Sequence, residues 1–184
     1  DRDNDGLRDK DGVKFEFEFL ITSGNTVAKQ LSELLQEQCA KLGIRVQIRM
    51  LEGATFFDKV ENGEFDACAL GWRIDLEPDI FDTFHSSQIP PIGLNHCFYS
   101  NPQVDSLLDL GRIEFDQEKR TEIYHEVHRL LHEDQPYTFV NTVPEKRAIH
   151  KKIKNVVISP DGLFNFYPGA NYWYIDEVSL ASEK

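Results

Sequence analysis

Phe65-Asp66-Ala67-Cys68-Ala69-Leu70-Gly71-Trp72-Arg73-Ile74-Asp75-Leu76-Glu77-Pro78-Asp79 holds the transition from which the fold can be read. The apolar run Phe65–Leu70 reads as a strand; it ends at Gly71-Trp72, and an acidic loop containing a proline follows at once. In an open α/β sheet, ligands bind outside the carboxyl ends of the strands, where such loops begin. This loop offers an aromatic plate, Trp72, and three carboxylates, Asp75, Glu77 and Asp79. An aromatic face beside carboxylates suits a cationic group. The segment holds no obvious nucleophile.

Upstream, Val13–Ile21 alternates Phe15, Phe17 and Phe19 with Lys14, Glu16 and Glu18, the period of two that marks a half-buried strand. Ser23-Gly24-Asn25 supplies turn and cap chemistry. Val27, Leu31, Leu34, Leu35 and Leu42 then fall at helical spacing, and Gly43 closes the helix, as glycine does where the chain must turn left-handed. Ile44, Val46, Ile48 and Met50 alternate with Arg45, Gln47 and Arg49 as a second strand. A short helix over Thr55–Val60 leads through Asn62-Gly63 to the third strand. The order β-α-β-α-β predicts parallel strands joined by right-handed crossovers.

Downstream, Val104–Arg112, introduced by Asn101-Pro102, and Gln117–Asp134 read as helices, the second burying Ile123, Val127, Leu130 and Leu131. Tyr137–Val143 and Ile153–Ile158 read as further strands. The expected fold is α/β, a mixed sheet of about five strands flanked by helices. Residues 164–175 are densely aromatic without a regular period. Aromatics bury large areas, so that stretch should be covered by something.

The 184 residues, 40% hydrophobic and 28% charged, can form a domain with a real core. No apolar run reaches the roughly 18 residues of a membrane span. The net charge of −12 argues against nucleic acid as a partner and favours cationic over anionic ligands. Cys39, Cys68 and Cys97 leave at least one cysteine unpaired, and none stands at metal-ligand spacing. Cys39 and Cys68 are expected to behave as small hydrophobes. No signal peptide, lipobox or initiating Met is recognisable, so targeting is not read from the chain itself.

Asp1-Arg2-Asp3-Asn4-Asp5-Gly6 matches the opening of a calcium loop, with hard oxygen ligands at alternating positions and glycine at the sixth. Position twelve is Gly12, where a bidentate Glu should close the shell, so the stretch is expected to be an acidic hairpin linker. His125, His128 and His132 share one narrow sector of a helix, and imidazoles so spaced can hold a soft divalent metal. That sector faces away from Ile123, Val127 and Leu130 and is flanked by Glu126 and Arg129, which marks a solvated face. No metal site or cofactor is therefore expected. Enzyme signatures are missing: no G-x-S-x-G, P-loop, HExxH or G-x-G-x-x-G occurs. His85 has no nucleophile placed beside it, and its expected role is to cap or pack the short helix over Ile80–His85.

Three ordered motifs carry a family resemblance. FDACALGWRIDLEPDIFDTFHSSQ from Phe65, GLNHCFYSNPQVDSLL from Gly93 and EKRTEIYHEVHRLLHEDQPYTFV from Glu118 resemble the C-terminal half of family 5 extracellular solute-binding proteins. The resemblance spans roughly residues 1–165. It implies one lobe of a type II periplasmic binding protein: an acidic linker over residues 1–12, an α/β lobe over 13–150, and an aromatic segment over 151–184 that would pack toward the other lobe. It also implies a receptor, not an enzyme. The receptor would capture peptides for the membrane permease subunits of an ABC importer, as a monomer in the periplasm or as a lipoprotein at the cell surface. A nickel or metal-chelate receptor on the same fold is the alternative, and a hydrolase-like enzyme built around His85 and Asp75 is a more distant one.

By the resemblance, Asp75 stands where peptide-binding relatives place the carboxylate that pairs with the ligand's α-ammonium. Trp72 resembles the aromatic at the cleft wall, and Asn95 sits where a second loop reaches the ligand. Arg73 departs from the pattern; it could meet a ligand carboxylate or neutralise Asp75. Half a receptor holds half a site, so this lobe alone should bind ligand weakly or not at all.

Overall fold

The chain opens with a hairpin of two short antiparallel strands, β1 (Asp9–Lys10) and β2 (Val13–Lys14). The expected continuous strand from Val13 is broken at Phe15, whose N–H donates to the Arg8 carbonyl at 2.7 Å. The strand resumes as β3 (Glu16–Thr22). After a turn at Gly24, where φ is +80°, comes α1 (Thr26–Ala40), capped by the Asn25 carboxamide accepting from the Ala28 N–H at 3.0 Å. Gly43 then reverses the chain at φ +73°, as its sequence position predicts.

β4 (Arg45–Leu51), α2 (Gly53–Glu61) and β5 (Ala67–Cys68) complete the β-α-β-α-β unit. All three strands are parallel, in the order β4-β3-β5, with Phe17 opposite Val46 and Phe19 opposite both Ile48 and Ala67. The central strand explains the layering. Phe19 and Ile21 of β3 pack with Ala28 and Val46, against Leu35 and Cys39 of α1; Leu20 turns to the opposite face and packs with Phe56 and Val60 of α2. Cys39 and Cys68 both lie within these apolar clusters, as expected of small hydrophobes.

A second core is helical. α3 (Phe81–Phe84), α4 (Pro102–Ile113) and α5 (Gln117–Asp134) bury Phe84, Val104, Leu108, Tyr124, Val127, Leu130 and Leu131 together. Asn101 caps α4 and Asp116 caps α5, each side chain accepting from two backbone N–H groups of the first turn. The α5 histidines His125, His128 and His132 are exposed, the solvated face expected of them.

The structure is a computed structural model and describes residues 1–72, 79–142, 146, 148–157 and 169–175. Two compact units are present, one of residues 1–73 and 79–137, the other of 74–78 and 138–184. The hairpin of β1 and β2 belongs to the first unit. In the second unit, β6 (Ile153–Lys154) pairs antiparallel with β7 (Tyr174–Ile175), and the Asn155 amide donates to the Tyr172 carbonyl at 3.0 Å.

The sheet is smaller than expected. Among the described residues it has three strands, with two separate two-stranded ribbons, in place of one sheet of five. Residues 137–142 form no strand, although their apolar, β-branched composition suggested one; Val143 lies outside the described residues. Of Ile153–Ile158 only the first two residues are strand, and Ile158 also lies outside the described residues. Among the described residues no helix is long and apolar enough to cross a membrane.

Candidate functional site

Trp72 follows the carboxyl end of β5, after the Ala69 N–H donates to the Leu20 carbonyl at 3.2 Å and closes the sheet. Its indole remains 42% exposed. One face stacks on the His96 ring, with centroids 5.9 Å apart and planes 11° from parallel, and its edge meets Tyr137 at 6.3 Å. A large aromatic propped from behind and open in front makes a flat apolar platform at the end of the sheet where ligands collect. Arg73, Asp75 and Glu77 lie outside the described residues. Asp79, the last carboxylate of the loop, is committed locally: one oxygen accepts the Phe81 N–H at 3.0 Å and the other pairs with Arg112 at 3.2 Å.

The loop behind Trp72 is built around Asn95, which is fully buried. Its amide donates to the carbonyls of His85 at 3.1 Å and Tyr99 at 2.8 Å, and its oxygen accepts the Tyr99 N–H at 3.0 Å. Both donors of the side chain are therefore engaged inside the protein, and its capacity to donate and accept at once is used to tie two chain segments together. His85 stacks on Phe81 of α3, whereas its side chain caps not that helix but the next turn, of 3-10 helix at Ser86–Gln88, by accepting the Ser87 N–H at 3.0 Å. Asp105 of α4 anchors the same turn through the Ser86 N–H and hydroxyl.

Burial governs the electrostatics of this region. His96 is 7% exposed, and its Nδ1 has no hydrogen-bond partner among the described residues. Desolvation holds its pKa below the ordinary value, with the Glu61 carboxylate pulling the other way. The same effect pushes the Cys68 thiol up to about 11 and raises Cys97, which favours the protonated thiol at both. Tyr137 is raised too, first by burial.

A cavity of about 440 Å³ opens between α2 and the loop that follows α3. Phe57 and Glu61 of α2 line it together with Asp82, Gln88, the Pro90–Leu94 turn and His96. Gly93 permits the turn's tight closure, since a Cβ there would lie 2.5 Å from the Gln88 side-chain oxygen. Sequence reading missed this feature. A signal existed: Phe57 and Glu61 stand four residues apart, so they share a helix face.

In the N-terminal hairpin, Asp1, Asp3 and Asp9 bring carboxylate oxygens within 4.8 Å of one another. The loop already satisfies its charges internally: Asp1 accepts the Asp5 and Gly6 N–H groups, and the Lys14 ammonium pairs with Asp5 and, at 3.5 Å, with Asp3.

The chain is similar to known proteins over nearly its whole length. Residues 1–88 match the family described as bacterial extracellular solute-binding proteins, family 5 middle. The oligopeptide-binding protein AppA of Bacillus subtilis is 37% identical over 183 residues, which is 98% of this chain and 32% of that protein. The structure of AppA in complex with a nonapeptide superposes with a TM-score of 0.78 at 30% identity, covering 96% of this chain and 34% of AppA. NikZ from Campylobacter jejuni, in complex with Ni(L-His), gives a TM-score of 0.66 at 29% identity over 72% of this chain and 27% of NikZ. The chain thus spans about a third of the length of these relatives or less.

Proposed function

Because the chain belongs to the family 5 extracellular solute-binding proteins, we propose that it supplies one lobe of a receptor that captures peptides and delivers them to the permease subunits of an ABC importer. The receptor works outside the cytoplasm, in the periplasm or at the cell surface. The observation that carries this reading is the half-exposed Trp72 at the carboxyl end of a parallel strand, in a chain 37% identical to an oligopeptide-binding protein. Trp72 forms the cleft wall, Asp75 receives the peptide's α-ammonium, and Arg73 meets a ligand carboxylate or tempers Asp75. Asn95 serves the site by holding the loop that backs Trp72; its engaged amide donors support that role over direct ligand contact. The second lobe closes on the ligand by hinge motion, and closure marks the receptor as loaded.

A metal-chelate receptor is the second reading, favoured by the likeness to a protein solved with Ni(L-His). Calorimetric titration of the full-length protein separates the two. Saturable heat with short unmodified peptides and none with nickel–histidine is the expected result. The reverse pattern would replace the peptide reading with the chelate one.

A further inference from the structure

We infer that His96 is a positioning residue for the Trp72 platform, and that protonation of its imidazole weakens the hold of that platform on a bound peptide in acid. The inference rests on the peptide reading above and adds to it a regulation of the same site. The two rings are nearly parallel, 11° apart, with centroids 5.9 Å from each other. His96 is buried and Trp72 half-exposed, so the imidazole backs the inner face of the indole while solvent reaches the outer one. Tyr137 meets the indole edge-on, so among the described residues His96 alone stacks flat behind it.

This ring is not an ordinary packing aromatic. Its Nδ1 has no hydrogen-bond partner among the described residues. An imidazolium donates from both nitrogens, so protonation would leave a donor and a charge unsatisfied in the dry space behind the indole. The charged groups facing it are acidic: Glu61 of α2 and Asp82 of α3 line the same cavity as His96, and among the described residues no cation lines it. Glu61 favours the charged imidazole, but burial outweighs it. Cys97 and Tyr137, the other titratable neighbours, are both raised and stay neutral in mild acid. An imidazolium is therefore drawn out of the stack toward Glu61 and the solvent of the cavity, and Trp72 loses its backing. A ligand on the outer face shields the pair further from water, which disfavours the proton. Proton and ligand thus compete. By linkage, affinity is full above the free protein's imidazole pKa and falls below it, by at most about tenfold per pH unit for one proton. That pKa lies under the ordinary 6.5. A peptide's own amino and carboxyl groups titrate near about 8 and about 3.5, on either side of the window.

The test titrates the full-length protein with an alanine pentapeptide of free termini, by calorimetry at about pH 7.5 and about pH 5, in two buffers of different ionisation enthalpy. Expected are binding about threefold or more weaker at the lower pH, and proton release on binding there but not at the higher pH. His96→Phe keeps a ring behind the indole without a titrating nitrogen, and should bind equally at both pH values. His96→Ala removes the support and should bind about threefold or more weaker than His96→Phe at the higher pH, the worth of a stacked pair. Equal affinity of the unmodified protein at the two pH values, with no proton released, overturns the inference alone, and that measurement needs no variant to fold. An acid loss that persists in His96→Phe assigns the titration to another group and overturns it as well. So does His96→Ala binding as tightly as His96→Phe. If the peptide binds at neither pH, the peptide reading falls and takes this inference with it.

Discussion

Asn95 and His96 are neighbours with opposite hydrogen-bonding fates, and both fates are testable. Asn95 makes both of its amide donations and accepts a backbone N–H while fully buried. Replacing it by alanine strands the Tyr99 N–H and two carbonyls away from solvent, and should cost about 2–4 kcal/mol in denaturant unfolding. A loss below about 0.5 kcal/mol would show that the loop does not depend on it. His96 is buried with an Nδ1 that has no partner among the described residues, and its pKa is depressed below the ordinary 6.5 mainly by desolvation. The unfolded chain therefore takes up a proton at higher pH than the folded one does. Stability should be undiminished above about pH 6.5 and decline as the pH falls from there toward the depressed folded value. His96→Gln, which cannot be protonated, should flatten that slope in melting curves across the window; an unchanged slope would assign the acid sensitivity elsewhere. Nothing in the sequence separates these two residues. Which of two adjacent polar side chains finds partners depends on where His85, Tyr99 and Trp72 arrive in space.

At the scale of elements, α5 was legible to the residue. Asp116 is a good cap, the apolar period is regular, and the helix ends where Gln135 turns left-handed at φ +49°. α1 was legible in position but not in orientation. Its large residues Val27 and Leu34 are exposed, and the face against the sheet carries the small Ala28 and Ser32 with Leu35 and Cys39. A helix lying close over a parallel sheet favours small side chains at the point of approach, and a hydrophobicity pattern does not record that distance. The strand expected at Tyr137–Val143 failed for a related reason. Composition marks a residue as able to pack, whereas a strand also needs a partner edge. The helical core gives the prediction at this scale. Leu108 is fully buried between α4 and α5, so Leu108→Ala should cost about 2–5 kcal/mol. Leu110, two residues on and 45% exposed, should lose less than about 1 kcal/mol on the same change. Equal losses would mean that the packing of α4 on α5 differs from the arrangement described.

For the whole molecule, the parallel β4-β3-β5 sheet and its two flanking helices present Trp72 at a carboxyl edge, and the helical core fixes the loop behind it. The sequence reached this arrangement because strand, turn and cap signals agree over residues 13–134. It did not reach the cavity, which forms only when α2 and the Pro90–Leu94 turn meet. The proposal to be tested at this scale is that Asp75 receives the amino terminus of a bound peptide. Calorimetry on the full-length protein, unmodified and Asp75→Asn, with one peptide in free-amino and N-acetylated forms, tests it most directly. The substitution should weaken the free-amino peptide by about 2–5 kcal/mol and leave the acetylated one nearly unaffected, since only the former has an ammonium to lose. An equal loss for both peptides, or no loss for either, would contradict the claim.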